Sequence, residues 1–256
     1  MFDSRNMTHL TEAKIALVSG ASRMNGLGFH TALSLGKIGY NVMPTARTEI
    51  ERTRLLDAFN HHGVQAIPAI LNTTQTRSVE QLAAFIDRTF GKLDVLINNA
   101  AINPDLKNRG LLPSETPLED FKQSLEVNVL GTIRLTQRLL PLLMKSKEAR
   151  IVNVSSIAGS VGALASPGSN ELAKKFPSYS ISKAALNVWT LQLAQELQGS
   201  SVKVNSAHPG WTRTDMGGQD APLSVEEGVE TIVRLATLSK DGPTGGFFHL
   251  DMRLAW

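Results

Sequence analysis

Short apolar runs alternate with longer amphipathic stretches along almost the whole chain. Lys14–Ser19 is a brief hydrophobic run ending at Gly20, the pattern of a strand buried on both faces. A helical periodicity follows, through Leu35 to about Ile38. Asn41–Ala46 reads as a strand, Ile50–His62 as a helix and Val64–Leu71 as a third strand. Pro44 and Pro68 fit poorly inside internal strands, because proline cannot donate to a ladder. The pattern continues with a helix over Val79–Phe90, a strand over Leu93–Ile97 and one long helix over Leu118–Met144. Arg150–Ser156 is the fifth strand, and a helix carrying Tyr179 runs to about Leu197. Val202–Ala207 is the sixth strand. A helix capped by Ser224, with Glu226 and Glu227 in its first turn, extends to about Leu238, and Gly246–Leu250 closes the series. Strand–helix alternation from end to end predicts an α/β fold, a doubly wound parallel sheet of about seven strands with helices on both faces. No internal repeat, low-complexity tract or linker divides it, so residues 1–256 form one domain, with 1–12 as a flexible lead.

Composition narrows the function classes. Hydrophobic content of 42% and charged content of 19% are those of a globular chain, and 256 residues suit one large α/β domain. A net charge of +3 without a dense Lys/Arg run gives no footprint for nucleic acid. There is no cysteine, and the six histidines lack a metal-ligand spacing; His61-His62 beside Gly63 reads as a helix end. No metal site is expected. Residues 1–12 lack the apolar core of a secretory signal, and no apolar run approaches a membrane span. The cytoplasm is the expected compartment.

The candidate chemistry gathers where such sheets carry it, at the carboxyl ends of the strands: Gly20, Arg47, Asn72, Asn99, Ser156 and Pro209-Gly210. Gly20-Ala-Ser-Arg-Met-Asn-Gly26-Leu-Gly28 lies between a strand and a helix, the setting in which glycines let backbone approach a pyrophosphate and a helix N-terminus faces it. A tight turn without a ligand would look the same. Tyr179 and Lys183, four apart, share one helix face. A phenol with a pKa near ~10 is a poor acid at neutral pH, and a fixed ammonium beside it makes proton transfer feasible.

Several short motifs occur in order: the glycine turn, Asn98-Asn99-Ala100, Asn128, Val154-Ser155-Ser156, Tyr179-x-x-x-Lys183 and Pro209-Gly210-Trp211. Over Lys14–Phe248 the chain resembles the short-chain dehydrogenase/reductase family, most closely its carbonyl-reductase branch. The resemblance implies a Rossmann-type sheet and an oxidoreductase interconverting a carbonyl (aldehyde, ketone or quinone) and an alcohol with a nicotinamide cofactor. It implies Tyr179 as proton donor or acceptor and Ser156 as hydrogen-bond donor to the same substrate oxygen. Lys183 would lower the tyrosine pKa and hold the nicotinamide ribose, and Asn128 would hold a relay water. The cofactor residues carried over are Gly20, Ser22, Arg23, Gly26, Leu27, Gly28, Arg47, Asn72, Thr73, Asn99, Ala100, Tyr179, Lys183, Pro209, Gly210, Thr212 and Thr214. Ala46 stands where an acidic residue would repel a 2′-phosphate, while Arg23 and Arg47 would bind one, so NADP(H) is expected. A non-catalytic dinucleotide-binding regulator, or a dehydratase or epimerase on the same fold, remains an alternative.

The chain also departs from the family pattern. The glycine turn is two residues longer, with Met24-Asn25 inside it, and counting back from Gly39 aligns Gly26 and Gly28 with the later glycines. Asn72 replaces an aspartate that meets the adenine amino group; its amide oxygen could accept the same bond. Ala101 replaces a glycine. Residues 157–178 and 211–223 form substrate-side loops, and the 23-residue interval from Ser156 to Tyr179 places a lobe over Ala163–Pro177. In the carbonyl-reductase branch such a lobe covers the surface that otherwise builds tetramers, so the resemblance implies a monomer or homodimer. Trp211 would either stack near the nicotinamide or pack beneath its lid.

Overall fold

A computed structural model describes residues 13–108, 110–166 and 176–256 of the chain. The lead over 1–12 and most of the expected lobe before Tyr179 lie outside them.

Eight strands form one sheet in the order β3-β2-β1-β4-β5-β6-β7-β8. They are β1 (Ile15–Val18), β2 (Asn41–Ala46), β3 (Ala69–Ile70), β4 (Val95–Asn98), β5 (Ala149–Val154), β6 (Val202–Ala207), β7 (Gly246–His249) and β8 (Met252–Arg253). The first seven pair in parallel, and β8 turns back antiparallel on β7. The doubly wound sheet is therefore as expected, with one short strand more. The helices are α1 (Leu27–Lys37), α2 (Glu49–His61), α3 (Thr76–Phe90), α4 (Leu118–Leu125), α5 (Gly131–Met144), α6 (Val161–Ala165), α7 (Pro177–Glu196) and α8 (Val225–Ala236).

Strand alternation divides the core into two layers. Ile15 and Leu17 face one side with Leu82 and Ile86 of α3, Leu135 and Leu139 of α5 and Leu193 of α7. Ala16 and Val18 face the other, with Phe29 and Leu33 of α1, Leu55 and Phe59 of α2 and Ile232 and Leu235 of α8. Strand order reverses between β1 and β4. At such a switch point the flanking connections diverge to opposite faces and leave a crevice at the carboxyl ends.

One expectation changes. The strand over 64–71 contracts to Ala69–Ile70, with an isolated bridge between Val42 and Ala66. The prolines explain this. Val42 O accepts from Ile67 N at 2.9 Å and Ala46 O from Leu71 N at 2.8 Å, so alternation points Pro44 at the same edge. The donor missing at Pro44 interrupts that ladder. Ile67 and Leu71 donate inward, so Pro68 turns its own missing donor to the open side, where it blunts the sheet edge.

The long helix over 118–144 is present as expected but holds a local π turn. Residues Glu126–Leu130 form a π turn between α4 and α5, and Asn128 lies within it. The cap of α8 is as read: Ser224 Oγ accepts from Glu227 N at 3.1 Å, and Glu227 returns the bond at 2.7 Å.

Candidate active site

The glycine turn packs too tightly for side chains. Gly20 has φ +67, and a Cβ there would lie 2.7 Å from Ala100 Cα. A Cβ on Gly28 would meet Asn99 Nδ2 at 2.5 Å. Asn99 closes the turn by donating to Ser19 O and Gly20 O, each at 2.9 Å. The two extra residues bend outward: Met24 packs against the α1 core and Asn25 is exposed. Helix α1 then starts at Gly26 with no side-chain cap and no acid in its first turn, whereas α2 and α8 each carry a full capping box. Its first N–H groups are thus left to whatever occupies the crevice, an arrangement that suits phosphate.

One cavity of about 420 Å³ runs from this turn to Tyr179 and Lys183, while Ser156 and Asn128 lie off its wall. Its wall includes Gly20, Ser22, Arg23, Gly26, Leu27 and Gly28, then Arg47, Asn72, Thr73, Asn99 and Ala100, then Tyr179, Lys183, Pro209 and Thr214. Ala101 and Ser155 line it too, as do Ile102, Val127, Asp215 and Met216, which were not singled out from the sequence. Gly210 and Thr212 do not. Gly210 takes φ +80 against Leu223, and buried Thr212 donates to Pro209 O at 3.2 Å, so both shape the loop from behind. Trp211 is exposed and donates its indole N–H to Gly217 O at 2.8 Å, which ties it to its own loop and not to the cavity wall.

Helix α7 carries the catalytic candidates. Pro177 starts it, but Phe176 at the N-cap offers no side-chain acceptor. Buried Asp105 supplies one from elsewhere: Oδ2 accepts from Tyr179 N and Oδ1 from Ser178 Oγ, both at 2.9 Å. The sequence signal for this residue was a negative one, a helix start with nothing to cap it.

Tyr179 shares a hydrogen bond with Ser156, whose Oγ also accepts from Ala158 N at 3.2 Å. Lys183 Nζ lies 5.5 Å from the Tyr179 ring centroid and donates to Val154 O at 2.7 Å. Burial pushes the phenol up to about 12, against a smaller lowering by Ser156, and pushes the Lys183 ammonium down to about 7. The expected depression of the tyrosine by Lys183 is therefore reversed here. Desolvation is the larger cause, and Lys183, whose Nζ is hydrogen-bonded to a main-chain carbonyl, itself loses charge near neutrality.

Asn128 is buried with its amide committed: Oδ1 accepts from Ile102 N at 2.8 Å, and Nδ2 donates to Ile102 O and Ser182 Oγ at 2.9 Å. It braces the loop after β4 against α7. The π turn is what aims it there. His208 Nδ1 accepts from Ile157 N at 3.3 Å and Gly210 N at 3.4 Å, tying the Ser156 turn to the Pro209-Gly210 loop. Burial first, then His249, lowers its pKa to about 4, so it stays neutral and able to accept.

At the other end of the cavity, exposed Arg47 makes no ion pair with the described residues, and Arg23 lies 3.7 Å from Asp215 across the cleft. Asn72 Oδ1 accepts from Thr74 N at 3.1 Å and Thr74 Oγ1 at 2.9 Å, so the oxygen expected to meet an adenine amino group is already bonded twice. No group of three or more His, Asp or Glu among the described residues is placed to hold a metal ion. None of their helices is long and apolar enough to cross a membrane.

Residues 14–222 match the model of the family described as short chain dehydrogenase. The chain is 37% identical to a short-chain dehydrogenase, anuI, of Penicillium roqueforti, with 87% of this chain and 88% of that protein covered. It is 31% identical to carbonyl reductase [NADPH] 1 of Sus scrofa, covering 96% of this chain and 95% of that one. Among solved structures it resembles an NADPH-bound carbonyl reductase from chicken fatty liver. There the TM-score is 0.81 at 27% identity, covering 95% of this chain and 99% of that one.

Proposed function

Because the chain belongs to the short chain dehydrogenase family, we propose that it is an NADP(H)-dependent oxidoreductase that reduces an aldehyde, ketone or quinone to the alcohol, or runs the reverse. One observation carries the reading. Tyr179, with Ser156 as its hydrogen-bond partner, and buried Lys183 line one end of a cavity whose other end is an uncapped helix N-terminus behind a side-chain-free glycine turn. That turn and helix end would hold the pyrophosphate, and Arg47 with Arg23 a 2′-phosphate. When bound, the nicotinamide supplies or takes up the hydride. The two carbonyl reductase relatives, one named for NADPH and one bound to it, support both the cofactor and the reaction class.

Tyr179 donates its proton to the substrate oxygen as charge develops there, and Ser156 donates a hydrogen bond to the same atom. With its pKa near about 12 the phenol is protonated at neutral pH, the state that reduction requires. Lys183, near about 7, takes both charge states there; as the ammonium it stabilises the phenolate left behind and is a source for its proton. Asn128 and Asp105 hold α7 and the loop beside it in register with the reacting groups. We take the protein to be cytoplasmic and a monomer or homodimer.

Purified protein is assayed with NADPH and with NADH against aldehydes, ketones and quinones. Turnover is expected with NADPH at least about tenfold above NADH. Tyr179→Phe is expected to lower kcat by about 10²–10⁴-fold with NADPH affinity kept within about twofold. Undiminished turnover in that variant would remove Tyr179 from the mechanism.

A further inference from the structure

We propose that the base-binding end of the cleft offers the purine 6-position a hydrogen-bond donor and not an acceptor, so that it accepts a 6-oxopurine dinucleotide as readily as the adenine form. The proposal rests on the dinucleotide reading of the cleft. The cavity wall runs continuously from Lys183 to Asn72 and Thr74, which follow β3. β3 is the edge strand, four strand spacings, roughly 19 Å, from β5 and the Ser156 turn that follows it. A dinucleotide with its nicotinamide at Tyr179 therefore brings its second base to Asn72.

The orientation of the Asn72 amide follows from chemistry. A main-chain N–H can only donate, so the side-chain atom 3.1 Å from Thr74 N is the oxygen. Thr74 Oγ1 takes up its second lone pair at 2.9 Å. Nδ2 is left without a partner among the described residues, on a half-buried residue of the cavity wall. The loop has little freedom to rearrange. Asn72 N donates to Ser78 Oγ at 2.9 Å, Asn72 O accepts from Gln75 N at 3.1 Å, and Arg134 holds Thr73 O at 2.6 Å. With its 6-position turned to Asn72, as the proposal has it, adenine presents an amino donor that opposes the Asn72 donor. Hypoxanthine presents a carbonyl oxygen there, which accepts from it. An aspartate at position 72 would keep the Thr74 bonds with one oxygen and reverse the preference with the other.

The test is calorimetric titration of the intact protein and of Asn72→Asp with NADPH and with its deamino form, in which hypoxanthine replaces adenine. For the natural chain the two Kd values are expected within about threefold. Asn72→Asp is expected to favour NADPH by about tenfold or more, about 1.4 kcal/mol. A natural chain that already favours NADPH tenfold, or an Asn72→Asp variant with an unchanged ratio, overturns the proposal and leaves the cofactor reading standing. If NADH binds in place of NADPH, the comparison is made with NADH and its deamino form. Binding of no dinucleotide overturns the cofactor reading and the proposal with it. The ratio for the natural chain decides the question even if the variant misfolds.

Discussion

Burial moves the two ionisable groups at the end of the cleft in opposite directions, and each carries a stability signature. The folded Lys183 titrates near about 7 against an ordinary 10.5, so between those values the unfolded chain holds a proton that the folded chain lacks. Stability should therefore rise with pH across that window. Tyr179 titrates near about 12 against 10.0, so above pH 10 the folded chain keeps the proton and stability should fall again. Urea unfolding at stepped pH checks this: Lys183→Met should flatten the rise between pH 7 and 10, and an unchanged slope would assign the rise to other groups. The residue types were legible in the sequence; their protonation was not. Tyr179 and Lys183 follow from helical spacing, but the sign of each shift depends on how much water the fold removes around them. Asn72 shows the same division, since its identity was visible while its polarity toward a ligand is set by Thr74.

At the scale of elements, periodicity was sufficient wherever an element buries one face or is buried on both. It overran at β3 and did not show a π turn inside the long helix, both for local reasons. Pro44 and Pro68 announced trouble in the ladder, but only the register shows that the first breaks it and the second protects an edge. The π turn at Glu126–Leu130 leaves no mark on hydrophobic spacing, because one extra residue in a single turn barely shifts a stripe that continues into α5. The start of α7 is the element-scale prediction. Asp105→Ala removes the side-chain cap that Asp105 supplies and leaves the Ser178 hydroxyl and the Tyr179 N–H without that acceptor. A loss of about 1–2 kcal/mol by denaturant titration is expected. It should come with a fall in kcat of about tenfold and little change in NADPH affinity. Asp105→Asn, which keeps an acceptor oxygen, should recover much of kcat; a purely structural role would leave kcat unaltered in the folded fraction of both variants.

For the whole molecule the decisive feature is the switch between β1 and β4, which opens a single cavity across the sheet. Parts from six strand ends meet there, so a ligand that fills it should stabilise the entire domain. NADPH at 100 times its Kd is worth about 2.7 kcal/mol, which for a chain of this size raises Tm by roughly 5–10 °C. NADH at the same concentration should raise it less, and Arg47→Ala should bring the two shifts together if the guanidinium reads a 2′-phosphate. Equal shifts in the natural chain would refute that role for Arg47.

What the sequence alone determined was the order and type of the elements, the α/β class, and the positions of the glycines and of the Tyr179–Lys183 pair. Those rest on spacing along the chain, and local spacing is what a sequence records. Only the tertiary structure decided that Asp105 caps a helix 72 residues later, that Arg23 faces Asp215, that Asn72 turns its oxygen to Thr74, and that Lys183 loses charge near neutrality. Each of these depends on a distance between groups brought together by folding, or on the exclusion of water from them, and neither is a property of any one stretch of the chain.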